Sequence, residues 1–201
     1  MKGLLLKDYY IIKSSLLILA VVFVIIGASL SYLSTPWVLT VLATVLLGMI
    51  VTTTITLDKT SGWIKTVLTT QISRGTYTDS KYISYLGLSL IGLAFGIIFG
   101  YIASTVIGKS SDGAMVFVCV SVAMALLAGG IILPFYFLTD ETKSILGSII
   151  AYPVSAGVFI GLFFLLGNHL STYIIILAVS LVAFIVSWVL TKKILLVRDL
   201  L

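Results

Sequence analysis

The sequence DKTSGWIKTVLTTQISRGTYTDSK, residues 58–81, is the only long hydrophilic interruption in a chain that is otherwise made of apolar blocks. Its apolar side chains recur at offsets that place them on one face of a helix. They are Trp63, Ile64, Val67, Leu68 and Ile72. Cations and small polar residues fill most of the other positions, so the pattern predicts a short amphipathic helix lying against a membrane surface.

The composition places the rest of the chain in a membrane. Of the 201 residues, 60% are hydrophobic and only 9% are charged. The mean hydropathy of +1.26 lies outside the range of ordinary soluble domains. At about 20 apolar residues per spanning helix, we expect six spans and an all-α fold in a single transmembrane domain, residues 1–201. The formal charge of +5 is carried near helix ends, which indicates anchoring to lipid and not binding of nucleic acid.

The expected helices follow the apolar blocks in order. Residues 1–13 predict a helix in the membrane interface, although a polar extension of the first span fits the same residues. The spans are expected at about 14–33, 37–57, 82–107, 114–138, 144–166 and 172–190, with a loop at 58–81. The first apolar run has full spanning length and no obvious cleavage site, so we expect the N-terminus to be retained.

The distribution of cations predicts the orientation of these spans. The chain has twelve Lys and Arg residues, and in the six-span arrangement only Lys109 falls on the side opposite the rest. Because cytoplasmic segments carry the excess of Lys and Arg, both termini and the loop at 58–81 are expected in the cytoplasm.

The spans defined in this way contain no Asp, Glu, Lys, Arg or His. Ion-coupled transporters and proton pumps usually need such groups, so these classes are not favoured. The only histidine, His169, falls in a loop, and the single cysteine, Cys119, excludes an intramolecular disulfide. Residues 108–110 read Gly-Lys-Ser, but Ala103 stands where a phosphate-binding loop needs its first glycine. We therefore expect no nucleotide, metal or catalytic site in this chain.

Small residues line one stripe of the third span. Gly92, Gly96, Gly100 and Ser104 recur at intervals of four, which lets a neighbouring helix approach closely. The neighbour belongs either to the same subunit or to a second one, and the sequence fits both. Pro153 is expected to bend or break the fifth span, and Pro134 to form a hinge or a kink in the fourth.

Residues 57–82 resemble the first cytoplasmic loop of the small ABC-2-type transporter permeases. The shared features are an acidic residue, Ser-Gly-Trp at 61–63, a basic amphipathic helix, Ser-Arg at 73–74 and a closing Ser-Lys-Tyr at 80–82. The opening Lys-Gly-Leu-Leu-Leu-Lys-Asp at 2–8 and the segment 134–143, PFYFLTDETK, are similar to the same family. With the span count, the resemblance covers the whole chain.

This resemblance implies an exporter in the bacterial plasma membrane, built from two permeases and two cytoplasmic ATPases. The ATPases would bind ATP and Mg, and a coupling helix in the loop at 58–81 would dock into them. The residues implied for docking are Lys59, Trp63, Ile64, Lys65, Val67, Leu68, Arg74, Asp140 and Glu141. An apolar helix face with basic neighbours suits an apolar cleft with acidic rims. Taken alone, Trp63 also fits the role of a lipid-interface anchor.

The expected cargo is an amphipathic peptide of the toxin or bacteriocin kind. Spans rich in apolar, small and hydroxyl side chains suit such cargo better than ions or sugars, and small members of the family export phenol-soluble modulins and bacteriocins. Two alternatives stay open, namely export of lipid-like drugs and a non-transporting immunity or scaffold protein. A second permease, identical or closely related, is expected because one six-helix subunit is too small to enclose a wide path.

Overall fold

The computed structural model describes residues 1–68, 73–108, 113–167 and 169–197. Every regular element in these residues is an α-helix. In chain order they are α1 (Lys2–Leu33), α2 (Val38–Thr60), α3 (Trp63–Leu68), α4 (Arg74–Ile107), α5 (Ala114–Leu138), α6 (Glu141–Leu166) and α7 (Leu170–Val197). All except α3 are long and apolar enough to cross a membrane. The expectation of an all-α protein with six helices suited to span a membrane is confirmed for the described residues.

Two helices begin at least eight residues before the spans expected from hydropathy. Helix α1 runs without a break from Lys2 to Leu33, so a separate interfacial helix at 1–13 is not shown. Helix α4 begins at Arg74, eight residues before the expected start at Tyr82. Its N-terminus is capped by Ser73, whose hydroxyl accepts the backbone N–H of Thr76 at 3.2 Å. Residues 74–81 are therefore helical and not part of a loop.

The chain alternates between two ends of the bundle. The charged end holds the starts of α1, α4 and α6, the ends of α2, α5 and α7, and the whole of α3. Helix α2 is central. In its most apolar stretch of 18 residues, 61% of the stretch is buried, and the helix packs against α1, α4 and α5. Helix α6 is peripheral. Only 11% of its most apolar 18-residue stretch is buried, and the helix packs mainly on α5.

The small-residue stripe of α4 lies against α2 of the same chain. A Cβ added to Gly92 would lie 2.3 Å from the carbonyl oxygen of Ala43, and one added to Gly96 would lie 2.4 Å from the Cα of Thr40. At Gly100 the nearest atom belongs to the Trp37 ring, at 2.9 Å. Backbone atoms cannot move aside as a flexible side chain can, so the two helices approach closely only because these positions are glycine. Ser104 is also buried.

The proline in α5 does not end that helix. Pro134 has no N–H, so the carbonyl of Gly130, four residues earlier, loses its helical partner. Ser187 of α7 donates its hydroxyl to that carbonyl at 2.6 Å. A neighbouring helix thus replaces the missing hydrogen bond, and α5 continues to Leu138.

Candidate functional site

Four charged side chains meet inside the charged end. Lys7 and Asp8 come from α1, Asp58 from α2 and Lys81 from α4; we call them the charge cluster. The exposed fraction is 2% for Asp8, 3% for Asp58 and 1% for Lys81. Buried charges of this kind are retained only when they are paired and hydrogen-bonded.

The ammonium of Lys81 is surrounded by oxygen atoms. It lies 2.8 and 2.9 Å from the two carboxylate oxygens of Asp8, 2.8 Å from Asp58 and 2.9 Å from the hydroxyl of Thr54. Lys7 donates to the other oxygen of Asp58 and lies 3.5 Å from Asp8. Two ammonium groups thus balance two carboxylates, so the cluster is neutral as a whole.

A tyrosine completes the coordination of Asp58. Tyr77 of α4 donates its hydroxyl to Asp58 at 3.0 Å, and its ring packs edge-on against Phe137 of α5. The cluster and its neighbours therefore join α1, α2, α4 and α5 at one point.

The structure extends the helices beyond the expected spans at this end, and the extensions carry charged groups. Asp58 and Lys81 were assigned to a surface loop, whereas they lie in helices long enough to span a membrane. The sequence does contain a signal for this burial. Leu4, Asp8 and Ile12 are spaced by four residues on one face of α1, and all three are buried. A charge between two buried apolar residues indicates a buried partner elsewhere in the chain.

Helix α3 is attached directly to the charge cluster. The Nζ atom of Lys7 lies 3.6 Å from the centre of the Trp63 ring, a cation–π contact. The same ring faces Tyr77 with 6.5 Å between centroids. Trp63 and Ile64 are half-buried and pack against the core of the bundle. Gly62, with φ of +67°, makes the turn that brings α3 back toward the bundle.

Lys59 connects the start of this segment to the turn between α5 and α6. Its ammonium donates to the carbonyl of Thr139 at 2.8 Å, close to the C-terminus of α5, where a cation is favoured. Lys59, Ile64 and Arg74 also line one small cavity of about 20 Å³. The structure thus brings these three predicted docking residues together, next to the turn that carries Asp140.

The remaining predicted docking residues divide into two groups. Asp140 is exposed and stands at the N-cap position of α6. The side chains of Lys65, Val67, Leu68 and Glu141 lie outside the part of the chain whose side chains are described.

A second polar group ties α4 to α7 at the same end. Asp79 accepts from the indole N–H of Trp188 at 2.8 Å and from Lys192 at 2.7 Å. One turn further into the bundle, Tyr82 stacks on Trp188 with ring centroids 5.4 Å apart. Its hydroxyl lies 3.1 Å from that of Thr191. Helix α4 therefore contributes polar side chains both to the charge cluster and to this second group, and it connects the two at the charged end.

The described residues show no group of three or more His, Cys, Asp and Glu side chains that could hold a metal ion. His169 is exposed in the turn between α6 and α7, at the end opposite the charge cluster.

Comparison with known proteins identifies a family. The family described as "ABC-2 family transporter protein" matches residues 3–195, almost the whole chain. No curated protein and no solved structure gives a significant match.

Proposed function

The chain belongs to the ABC-2 family of transporter proteins, and from that membership we infer that it exports amphipathic peptides. Its role in the family is that of the membrane permease component of an ATP-driven transporter. Permeases of this kind are typically non-catalytic and pair with ATPase subunits, which would bind the ATP. The cargo, the docking site and the number of permeases are the parts that we propose.

The proposed docking surface for the ATPase consists of α3 and the turn between α5 and α6. It includes the residues named above for docking, from Lys59 to Arg74 together with Asp140 and Glu141. The bond from Lys59 to the carbonyl of Thr139 supports this assignment, because it joins the two segments into one continuous surface. Within that surface, Trp63 and Ile64 hold α3 to the bundle, since both pack against its core. Docking at this end also requires it to face the cytoplasm, as the excess of cations predicts.

One observation carries the proposed mechanism. Lys7 contacts the Trp63 ring and Asp58 at the same time. A displacement of α3 by the ATPase would therefore act first on Lys7 and then on the charge cluster, which reaches α1, α2 and α4. We propose this sequence of contacts as the route by which ATP hydrolysis moves the spanning helices.

The cargo path is proposed to run between two copies of the permease. The centre of the described bundle is filled by fully buried aromatic side chains, including Phe23, Tyr82, Tyr85 and Phe184. A close-packed interior leaves no room for a peptide. A path between subunits, walled by apolar helix faces, suits an amphipathic peptide and would also suit a lipid-like drug.

An exporter needs ATP hydrolysis, whereas a protein that only sequesters the peptide does not, and this difference distinguishes the two functions. Cells that express the permease with its ATPase are challenged with an amphipathic helical peptide. We expect tolerance to disappear when the ATPase partner is replaced by a variant that binds ATP without hydrolysing it. Tolerance that persists with this variant would identify an immunity or scaffold protein and contradict the exporter.

The docking surface is tested by the pair Trp63→Ala and Lys65→Glu. The double variant removes an aromatic anchor and reverses a charge on α3, so we expect weaker co-purification of the ATPase with unchanged membrane insertion. Lys13→Glu, an exposed charge reversal at the same end, serves as the control. If the ATPase co-purifies equally with both variants, Trp63 only holds α3 to the bundle and does not take part in docking.

A further inference from the structure

A groove of about 510 Å³ opens between α4 and α7 at the charged end. It lies on the outside of the bundle, away from α3, and the proposed export mechanism does not use it. Its lining residues are Met1, Asp79, Ile83, Trp188, Val189, Lys192, Lys193 and Leu196.

The polar residues of the groove carry a positive balance. Asp79 is already matched by Lys192 and by the indole N–H of Trp188. Lys193 adds a second ammonium, so two cations stand against one carboxylate. Both lysines remain accessible, because the Lys192 side chain is 41% exposed and Lys193 is exposed. A negatively charged group is therefore favoured there.

Two apolar residues of the groove lie deeper in the bundle than the lysines. Ile83 on α4 is 37% exposed and Val189 on α7 is 47% exposed. A polar mouth at the end of the spanning helices and an apolar wall below it match the two parts of a phospholipid.

We propose that this groove binds one anionic phospholipid. The phosphate lies between Lys192 and Lys193, and one acyl chain runs along Ile83 and Val189. Basic pockets between spanning helices are suited to acidic headgroups, and Trp188 occupies the interfacial depth that tryptophan favours. A zwitterionic lipid brings no net charge to balance the second lysine, so the groove discriminates by headgroup.

The test uses the full chain in phosphatidylcholine vesicles that contain a minor share of lipid with brominated acyl chains. Bromine quenches tryptophan at short range, and subtraction of the Trp188→Phe signal isolates Trp188. We expect stronger quenching by brominated phosphatidylglycerol than by the same share of brominated phosphatidylcholine. Removal of one lysine charge near the surface, in Lys193→Gln, lowers the relative affinity for phosphatidylglycerol about fivefold.

Lys13→Gln is the matched control, since Lys13 is exposed at the same end and lies outside the groove. It should keep the preference for phosphatidylglycerol. Equal quenching by the two lipids overturns the proposal, and so does an equal loss in both lysine variants, which would indicate diffuse attraction to the whole charged end. Native mass spectrometry from mixed-lipid nanodiscs gives a readout independent of tryptophan. There the wild type should retain phosphatidylglycerol and Lys193→Gln should lose it; equal retention refutes the site.

Discussion

Replacing Lys81 with Met tests the charge cluster as the structure describes it. The side chain is 1% exposed, so the variant removes a buried ammonium from between two carboxylates. Lys7 alone then faces Asp8 and Asp58, and the cluster changes from neutral to a net charge of −1. Breaking a buried ion pair by removing one partner costs about 3–5 kcal/mol. We expect a decrease of that size in the free energy of unfolding.

A second change separates this electrostatic cost from the loss of the side chain itself. In the double variant Lys81→Met with Asp8→Asn, Lys7 and Asp58 remain as a balanced pair. The double variant should therefore be more stable than the sum of the two single changes predicts, with a coupling energy of about 2 kcal/mol.

The assay is unfolding in mixed micelles by titration with a denaturing detergent, followed by tryptophan fluorescence. Lys13→Met, which removes an exposed cation at the same end, should change the free energy of unfolding by less than about 1 kcal/mol. If Lys81→Met behaves like Lys13→Met, Lys81 is hydrated in the folded protein and the buried cluster does not form.

Three further predictions follow from contacts described above. Gly92→Ala places a methyl group on the backbone of α2 and should destabilise the chain by about 1–3 kcal/mol in the same titration, whereas Gly87→Ala, which meets open space, should change little. Ser187→Ala leaves a carbonyl of α5 without its donor and should cost about 1–3 kcal/mol, while Ser180→Ala, which removes a bond within its own helix, should cost less; equal costs would contradict the bridging role. Lys7→Met should leave ATPase co-purification intact and lower cargo-dependent stimulation of ATP hydrolysis, measured in proteoliposomes; unchanged stimulation would exclude Lys7 from the route.

Hydropathy alone was sufficient to locate the six long helices, because apolar length is what a membrane requires of a spanning helix. It failed at the start of α4. There, Asp79 and Lys81 were interpreted as surface charges, although both are satisfied by other helices. The partners of Lys81 lie 73 and 23 residues earlier in the chain, and no local pattern connects positions so far apart.

The stripe of glycines on α4 was likewise only partly predictable from the sequence. Spacing by four residues predicted a close helix neighbour for Gly92 and Gly96, and a close neighbour is present. The choice of α2 could not be predicted, because a smooth stripe accepts any helix with a matching surface. Pro134 was expected to weaken α5, but no local pattern indicates that Ser187, 53 residues later, supplies the missing donor.

That donor has a consequence for the order in which the protein is made. Helix α5 enters the membrane before α7 has been synthesised, so the carbonyl of Gly130 first meets hydrocarbon without its partner. Until Ser187 arrives, that carbonyl lacks its donor, and α6 is inserted beside a helix with an unsatisfied backbone group. The final helix thus does more than add a sixth span, since its insertion supplies a hydrogen bond that an earlier helix lacks.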